Sequence, residues 1–487
     1  MSLLGIDIGT TGCKSVAFTL EGEQLARSYR DYEIVNSYEG YVEFDSLQIW
    51  EKVQETIRDV AIQTSNDPIR ALSVSSLGEA MVPVSKDGKI LGNSILGSDR
   101  RGDEFLDKLL EHFNSYEIFR ITGNYPGTFY SLSKVLWMKK YQPELFFNTC
   151  YFLAWADFIC FMLGGSPITD YSLASRSLLF DIHNCRWSEE LLNKLDLDKT
   201  KFAPPMPSGS LLGFVTDDLA KRLHLEKNVE IISGGHDQSC ATLGSGVKSG
   251  SKGAMYAMGT FICVVPVFSQ MPDFELMYAN KLHIEPHVVP GSFISFIYNE
   301  SGGALVKWFR QTFMSSDQKD AYNCMFSEIT ENLNNIIVLP QFGISGPPDF
   351  LSGNQGCILG LSLTHKRGDI LQAILEGISF YVRNCFEKSE GPFANIDLLY
   401  ATGGGSVSQK WLQITADILD KPIIKNRTSE TSALGAAIIA GKGSDAFASF
   451  LEAIDSMVKI EQTIYPSPSK KEFYITKFEQ YKLKTRL

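Results

Sequence analysis

The segment Gly5-Ile6-Asp7-Ile8-Gly9-Thr10-Thr11-Gly12-Cys13-Lys14 sets an acid, two threonines and a lysine around Gly9 and Gly12, where the apolar runs Leu3 to Ile8 and Val16 to Phe18 are joined. Such runs suit buried strands, and Gly9 and Gly12 let the connection turn tightly and approach a ligand. Thr10, Thr11 and their N–H groups could donate to phosphate oxygens, Lys14 adds positive charge, and Asp7 at the strand end could hold hydrated magnesium. A plain turn between two core strands would use the same glycines. The layout recurs where Met258-Gly259-Thr260-Phe261 joins the apolar runs Ala254 to Met258 and Phe261 to Val265. Two such hairpins half a chain apart point to two similar halves gripping one nucleotide.

Two further segments carry chemistry. In Ile231-Ile232-Ser233-Gly234-Gly235-His236-Asp237-Gln238-Ser239 an apolar strand runs through glycines into an acid that opens a small-residue helix. A carboxylate at that strand end, facing a cleft, is the base that phosphoryl transfer to a hydroxyl needs; the same Asp237 would also serve as a helix N-cap. In Leu399-Tyr400-Ala401-Thr402-Gly403-Gly404-Gly405-Ser406 a strand ends in three glycines at a helix start, which lets backbone approach adenine or ribose near the helix dipole. A tight strand-to-helix turn explains the glycines equally. Neither a Gly-x-Gly-x-x-Gly fingerprint nor a P-loop is present.

The elements that must position these residues fit a large two-part chain. At 487 residues, 44% hydrophobic and 21% charged, with mean hydropathy −0.04, the sequence describes a globular protein too long for one ordinary core. A net charge of −11 and pI near 5.3 disfavour a nucleic-acid surface, so an anionic nucleotide must be met by local cations, N–H groups and metal. Met1-Ser2-Leu3 enters a strand directly with no secretory leader pattern, and no apolar stretch is long enough to span a bilayer, so a cytoplasmic protein without membrane contact is expected. The nine cysteines form no CxxC pair and read as reduced core thiols; His283 and His287, with Pro286 between them, do not make a zinc helix.

Along the first half, Asp45 or Ser46 caps a helix carrying Leu47, Trp50, Val53, Ile57 and Val60 at helical spacing. Ile69 to Ser75 reads as a buried strand, Leu132 to Lys140 and Tyr151 to Leu163 as helices, and Val229 to Gly235 as a strand. The domain boundary falls near 246–252, giving an N-terminal domain over 1–247 and a C-terminal domain over 248–487.

Taken together, these segments resemble the FGGY carbohydrate kinases of the actin-like ATPase superfamily over nearly the whole chain. The resemblance is carried in order by Asp7 to Thr11, Gly234 to Gln238, Gly259-Thr260, Tyr298-Asn299-Glu300-Ser301-Gly302-Gly303, Gly356 to Leu361 with Asp369 to Glu376, Gly403 to Ser406, and Ala433-Leu434-Gly435-Ala436-Ala437. It implies an α/β fold of two ribonuclease H-like domains, each a mixed sheet flanked by helices, closing on ATP, Mg2+ and a small sugar. By motif position Asp237 is the implied base, and Asp7 with Asp237 the implied magnesium carboxylates. Thr10, Thr11, Lys14, Gly259 and Thr260 lie on the phosphates, and Gly303, Lys307, Gly404, Gly405 and Ser408 beside the nucleotide. Lys14 stands where many members carry arginine, keeping charge and losing the bidentate fork. A homodimer is the open option for assembly.

The sugar end departs from the commoner patterns. Xylulokinases typically present Gln-Met-His after this strand and glycerol kinases Gln-Arg-Glu, whereas this chain has Leu77-Gly78-Glu79. The run Ser75 to Ala80 is similar to the L-fuculokinase-like branch, which implies a 6-deoxyketohexose or a ketopentose such as xylulose. Alternatives are glycerol, another polyol or gluconate as acceptor, an actin-like ATPase, or a sugar sensor. The implied sugar contacts are Glu79, Asp99, Arg101, Phe129, Asp237 and Gln238. Other readings stay open: Asp99 with Arg101 as a surface ion pair, and Glu79 paired with Arg100 or Arg101 to support its loop.

Overall fold

The computed structural model describes residues 1–485 except 37, 39, 315–320, 331, 351–355, 390 and 392. Its first sheet contains β1 (Ser2–Ile8), β2 (Gly12–Phe18), β3 (Gln24–Asp31), β4 (Ile69–Ser76), β5 (Leu211–Phe214) and β6 (Glu230–His236), in the order β5-β6-β4-β1-β2-β3. The first three strands form an antiparallel meander, β4 and β6 add in parallel, and β5 closes the edge antiparallel. The second sheet contains β7 (Gly253–Met258), β8 (Ile262–Phe268), β9 (Glu285–Pro286), β10 (Phe293–Ile294), β11 (Ile297–Asn299), β12 (Leu398–Thr402), β13 (Ile423–Asn426) and β14 (Ile460–Ile464). Its order is β9-β10-β8-β7-β12-β13-β14, with β11 also on β8. The plan repeats: β7 and β8 make an antiparallel hairpin, β12 and β13 add in parallel, and β14 closes antiparallel. The expected α/β architecture of two mixed sheets flanked by helices is what the chain adopts.

Helices fix the sheets to each other. On one face of the first sheet lie α1 (Ser46–Gln63), with Trp50, Val53, Ile57 and Val60 buried, and α2 (Trp155–Leu163). Asp45 caps α1 by accepting from the Gln48 N–H at 3.0 Å, and Leu47 points to solvent despite its place in the apolar series. The other face is covered by α3 (Asp237–Ser245) and, from far along the chain, α7 (Thr431–Gly443). The second sheet carries α4 (Gly303–Phe313), α5 (Arg367–Lys388), α6 (Gln409–Leu419) and α8 (Lys471–Lys484) in its large core. Ala241 of α3 packs instead against Met255, Cys263 and Val265 of that sheet, so α3 is shared by both halves.

The α3–α7 crossing is a backbone contact. A Cβ on Gly435 would stand 1.9 Å from the Cys240 carbonyl oxygen, one on Gly244 2.0 Å from that of Thr431, and one on Gly5 1.8 Å from that of Ala433. Only glycine permits these approaches. Among the described residues, no helix is long and apolar enough to cross a membrane.

Three sequence expectations need correction. Tyr151 to Leu163 is not one helix: Tyr151–Ala154 is a strand paired antiparallel with Met81–Val84, and the helix starts at Trp155. A continuous apolar run has no periodicity to separate the two. The three glycines open a 3-10 helix and not the α-helix: Gly403 turns at φ 80°, the 3-10 helix spans Gly404–Val407, and α6 begins at Gln409. Gly9 and Gly12 are not among the positive-φ glycines, so the hairpin is not tight for that reason. Gly12 is required because a Cβ there would meet the Tyr29 hydroxyl at 2.4 Å and the Arg30 carbonyl at 2.6 Å.

Gly435→Ala gains about 1 kcal/mol of helix propensity, yet its Cβ meets a backbone carbonyl that cannot rotate away, and overpacking of that kind costs about 1–3 kcal/mol or more. We expect a lower urea midpoint for Gly435→Ala and an unchanged one for Gly404→Ala, which has open space around it. Equal midpoints for Gly435→Ala and the unmodified protein would show that the crossing widens without cost.

Candidate active site

Parallel register brings three strand ends to one edge. Asp7 of β1 lies opposite Ser75 of β4, and Gly235 and His236 of β6 lie opposite Ser75 and Ser76. Asp7, the Leu77-Gly78-Glu79 turn and Asp237 therefore leave their strands side by side, at the carboxyl ends where α/β sheets bind ligands.

Asp7 is held on both oxygens: the Ser75 hydroxyl donates to Oδ1 at 3.0 Å, and the Lys14 ammonium lies 3.2 Å from Oδ2. Lys14 also meets Glu430 Oε2 at 2.8 Å, and Arg27 pairs with the other oxygen of Glu430 at 2.9 Å. Burial works against the Lys14 charge, but the two carboxylates outweigh it and hold its pKa above the usual lysine range. Thr10 and Thr11 form the exposed hairpin tip, with Gly9 N–H donating to Gly12 O at 3.0 Å.

Asp237 is the first residue of α3; His236 occupies the N-cap position and no side chain caps the helix, so the capping role considered for Asp237 is not what the fold uses. Its side chain keeps 27% exposure. Burial raises its pKa to about 6, with Asp7 and Glu79 adding to the rise and His236 opposing it. His236 Nε2 lies 3.3 Å from Asp237 Oδ1, and His236 Nδ1 lies 2.7 Å from Glu285 Oε1. Burial disfavours the imidazolium, yet Glu285 outweighs it and raises the His236 pKa to about 9. Gln238 Oε1 is buried with no hydrogen-bond partner among the described residues.

Glu79 pairs with neither Arg100 nor Arg101. Arg176 Nε donates to Glu79 Oε1 at 2.8 Å, Nη2 donates to the same oxygen, and Nη1 reaches Glu285 Oε2 at 3.3 Å. Burial opposes the Glu79 charge, while Arg176 and then His236 lower its pKa below the usual glutamate range. Phe129 is 40% exposed with the Arg176 guanidinium 5.8 Å from its ring centre.

Asp99 and Arg101 require correction on the surface-pair reading. They are not a surface pair, since the Asp99 side chain is fully buried and Arg101 nearly so. Asp99 accepts from the Val42 and Arg101 N–H groups and from the Arg101 guanidinium, which also pairs with Glu43 at 2.7 Å and lies 3.8 Å from the Tyr41 ring centre. With its oxygens so occupied, the pair braces the loop.

The second hairpin meets the other glycine segments. Gly303 N–H donates to Gly259 O at 2.8 Å and Ala304 N–H to Thr260 O at 3.0 Å, joining the hairpin to the start of α4. A Cβ on Gly403 would stand 3.1 Å from Gly259 N, one on Gly405 2.9 Å from Met258 Cβ, and Gly404 faces open space. Gly259, Thr260, Gly303, Gly404 and Gly405 thus converge. Lys307 is exposed one turn into α4, and Ser408 caps α6 by accepting from the Trp411 N–H at 3.4 Å.

Among the described residues, no cluster of three or more His, Cys, Asp or Glu could hold a metal alone. The donor set of Asp7 and Asp237, two carboxylates close enough for one to raise the other's pKa, fits instead a hydrated magnesium shared with nucleotide phosphates. Sequence reasoning missed Arg176, Glu285 and Glu430. Glu285, an acid inside Leu282-His283-Ile284-Glu285-Pro286-His287-Val288, carried a usable signal, because a lone acid in an apolar run must be paired.

The chain is 27% identical to the xylulose kinase of Bacillus subtilis over 485 residues, covering 99% of this chain and 96% of the relative. Its fold is similar to the structures of a xylulose kinase and a gluconate kinase from Lactobacillus acidophilus, each at 22% identity, with TM-scores of 0.86 and 0.84 and coverage of 99% of this chain and 96% of each structure. Residues 2–244 match the N-terminal domain of the FGGY family of carbohydrate kinases and residues 254–444 its C-terminal domain. Because those two matches carry all the strand ends and glycine turns described above, the chain belongs to the FGGY family and is an ATP-dependent carbohydrate kinase.

Proposed function

We propose that the chain phosphorylates a small uncharged ketose, a ketopentose such as xylulose or an L-fuculose-like 6-deoxyketohexose, with Asp237 as general base. The observation that carries the reading is the placement of Asp237: first in its helix, partly open, raised in pKa, and beside Asp7 and Glu79. The Asp237 carboxylate takes the proton of an acceptor hydroxyl as that oxygen bonds to the γ-phosphorus and the bond from phosphorus to the bridging oxygen of ADP breaks, ADP leaving with the electron pair. Thr10, Thr11, Gly259 and Thr260 bind the phosphates, and Lys14, kept protonated, offsets their charge. Gly303, Lys307, Gly404, Gly405 and Ser408 flank the nucleotide. Asp7 and Asp237 would hold a hydrated magnesium ion, which would supply positive charge to the phosphate oxygens. Glu79, Phe129 and Gln238 face the acceptor. The carboxylates of Asp7, Glu79 and Asp237 favour a neutral acceptor over gluconate. Positioning and electrostatics supply most of the rate.

Asp237→Asn lowers kcat by about 10² to 10⁴, the range for a positioned base, while the KM for ATP changes little; near-normal turnover in a coupled assay removes Asp237 from that role. The base works as carboxylate, so kcat/KM for the acceptor falls as pH drops through about 6 and levels above it. An acidic limb centred at the ordinary aspartate value would show the carboxyl to be unshifted. Glu79→Gln removes a charged acceptor facing hydroxyls, worth about 1.5–3 kcal/mol, so kcat/KM for the sugar drops roughly ten- to hundredfold. A loss of melting temperature with the substrate ranking intact would instead make Glu79 a loop support.

A further inference from the structure

The side chain missing at position 78 is replaced in space by a distant one. A Cβ on Gly78 would stand 2.6 Å from Arg176 Cγ and 3.0 Å from His236 Cδ2. Arg176 ends the short helix Tyr171–Ser175 and reaches Glu79 from 97 positions along the chain. Its guanidinium lies among the rings of Tyr130 and Phe296, 5.1 and 5.5 Å from their centres.

From Arg176 a chain of contacts runs to the base. Glu79 Oε1 takes the Arg176 Nε bond at 2.8 Å, Arg176 Nη1 reaches Glu285 Oε2 at 3.3 Å, Glu285 Oε1 lies 2.7 Å from His236 Nδ1, and His236 Nε2 lies 3.3 Å from Asp237 Oδ1. The middle is closed and the ends are open: side-chain exposure is 21% for Glu79 and 27% for Asp237, against 5% for Arg176, 0% for Glu285 and 6% for His236. Buried ion pairs add little net stability over apolar packing, so stability alone does not account for this arrangement.

We propose that Arg176 and Glu285 are positioning residues of the acceptor site: together they hold Glu79 and Asp237 at a fixed separation, so that an uncharged polyhydroxy acceptor docked on Glu79 presents its reacting hydroxyl to the base. The inference rests on the reading of Asp237 as base in a sugar kinase. Arg176 anchors Glu79 through one oxygen, leaving Oε2 for a hydroxyl. Glu285 comes from the second half of the chain, so the frame is complete only when both halves are in place. Three carboxylates against one guanidinium and one imidazole leave the frame without a surplus cation for a sugar acid.

The test uses the full-length protein with ATP and xylulose, L-fuculose, glycerol or gluconate, measuring ADP and sugar phosphate separately. Arg176→Lys keeps the charge and loses the fork; Glu285→Gln keeps the shape and loses the charge. Misplacement of a reacting group by about 1 Å costs on the order of 10²-fold. Each variant is expected to raise the acceptor KM roughly ten- to hundredfold, to hold the ATP KM within about twofold, and to release more ADP than sugar phosphate. Variants that melt normally and keep the acceptor KM and the one-to-one product ratio overturn the proposal. So does a parallel loss of melting temperature and of both KM values, which marks a merely structural pair, and so does faster turnover of gluconate than of every neutral acceptor. If the unmodified protein phosphorylates none of the four, the sugar-kinase reading of the site fails and the frame with it.

Discussion

The backbone crossing of α3 and α7 is the constraint on which the site depends. Three glycines, Gly5, Gly244 and Gly435, let α7 lie against β1 and α3 at distances no side chain allows. Because α7 comes from the second half of the sequence and α3 ends the first, this crossing ties a segment of the second half to the face of the first sheet through backbone rather than through adjustable side chains. Asp237 is the first residue of α3. Its position is therefore set jointly by β6, which delivers it, and by α7, which fixes the helix it opens. A carboxylate on a loop could shift by an ångström; one at the start of a clamped helix cannot do so without moving a sheet. Geometry of that tolerance is what in-line transfer requires.

Electrostatics then decides what the clamped carboxylate can do. Desolvation is the largest influence on Asp237, and the nearby carboxylates of Asp7 and Glu79 act in the same direction. His236 opposes them, leaving the pKa at about 6. That value suits a general base, because the group is largely ionised near neutrality yet more basic than an ordinary aspartate. Without His236 the same surroundings would push the group further toward its protonated form. The histidine is thus a counterweight rather than a rival base, and Glu285 on its far side keeps it charged.

What the sequence revealed follows from the range of each interaction. The Asp7 hairpin, the Asp237 strand end and the Gly259-Thr260 hairpin were legible as elements because strand, glycine and polar group lie within a dozen residues of one another. The repetition of sheet order was foreshadowed only by the two hairpins, since β12 and β13 share little residue pattern with β4 and β6. Arg176 and Glu430 were illegible because their partners are far away in sequence, and a single arginine or glutamate in a polar stretch signals nothing. Asp99 and Arg101 show the opposite failure. Their types and spacing suited a surface ion pair, but burial, which spacing does not encode, makes them an internal brace. Tyr151 to Leu163 misled because an unbroken apolar run has no period, and the strand pairing with Met81–Val84 settled the first four residues.

The two carboxylates proposed for the chemistry share one arrangement. Asp7 meets Lys14, which meets Glu430; Asp237 meets His236, which meets Glu285. In each case a carboxylate of the first half is joined through a nitrogen base of the first half to a glutamate of the second. The arrangement has a physical consequence. Glu430 is the N-cap residue of α7, and α7 is packed onto β1 and α3 through backbone approaches that only glycine allows, so the partner of Lys14 is fixed to the same sheet that carries Asp7. Glu285 has no exposed side-chain surface where it meets His236, so the charge that favours the protonated imidazole is held inside packed surroundings rather than at a solvent-facing tip. Each carboxylate is therefore tuned by a nitrogen group whose own partner has little freedom to leave.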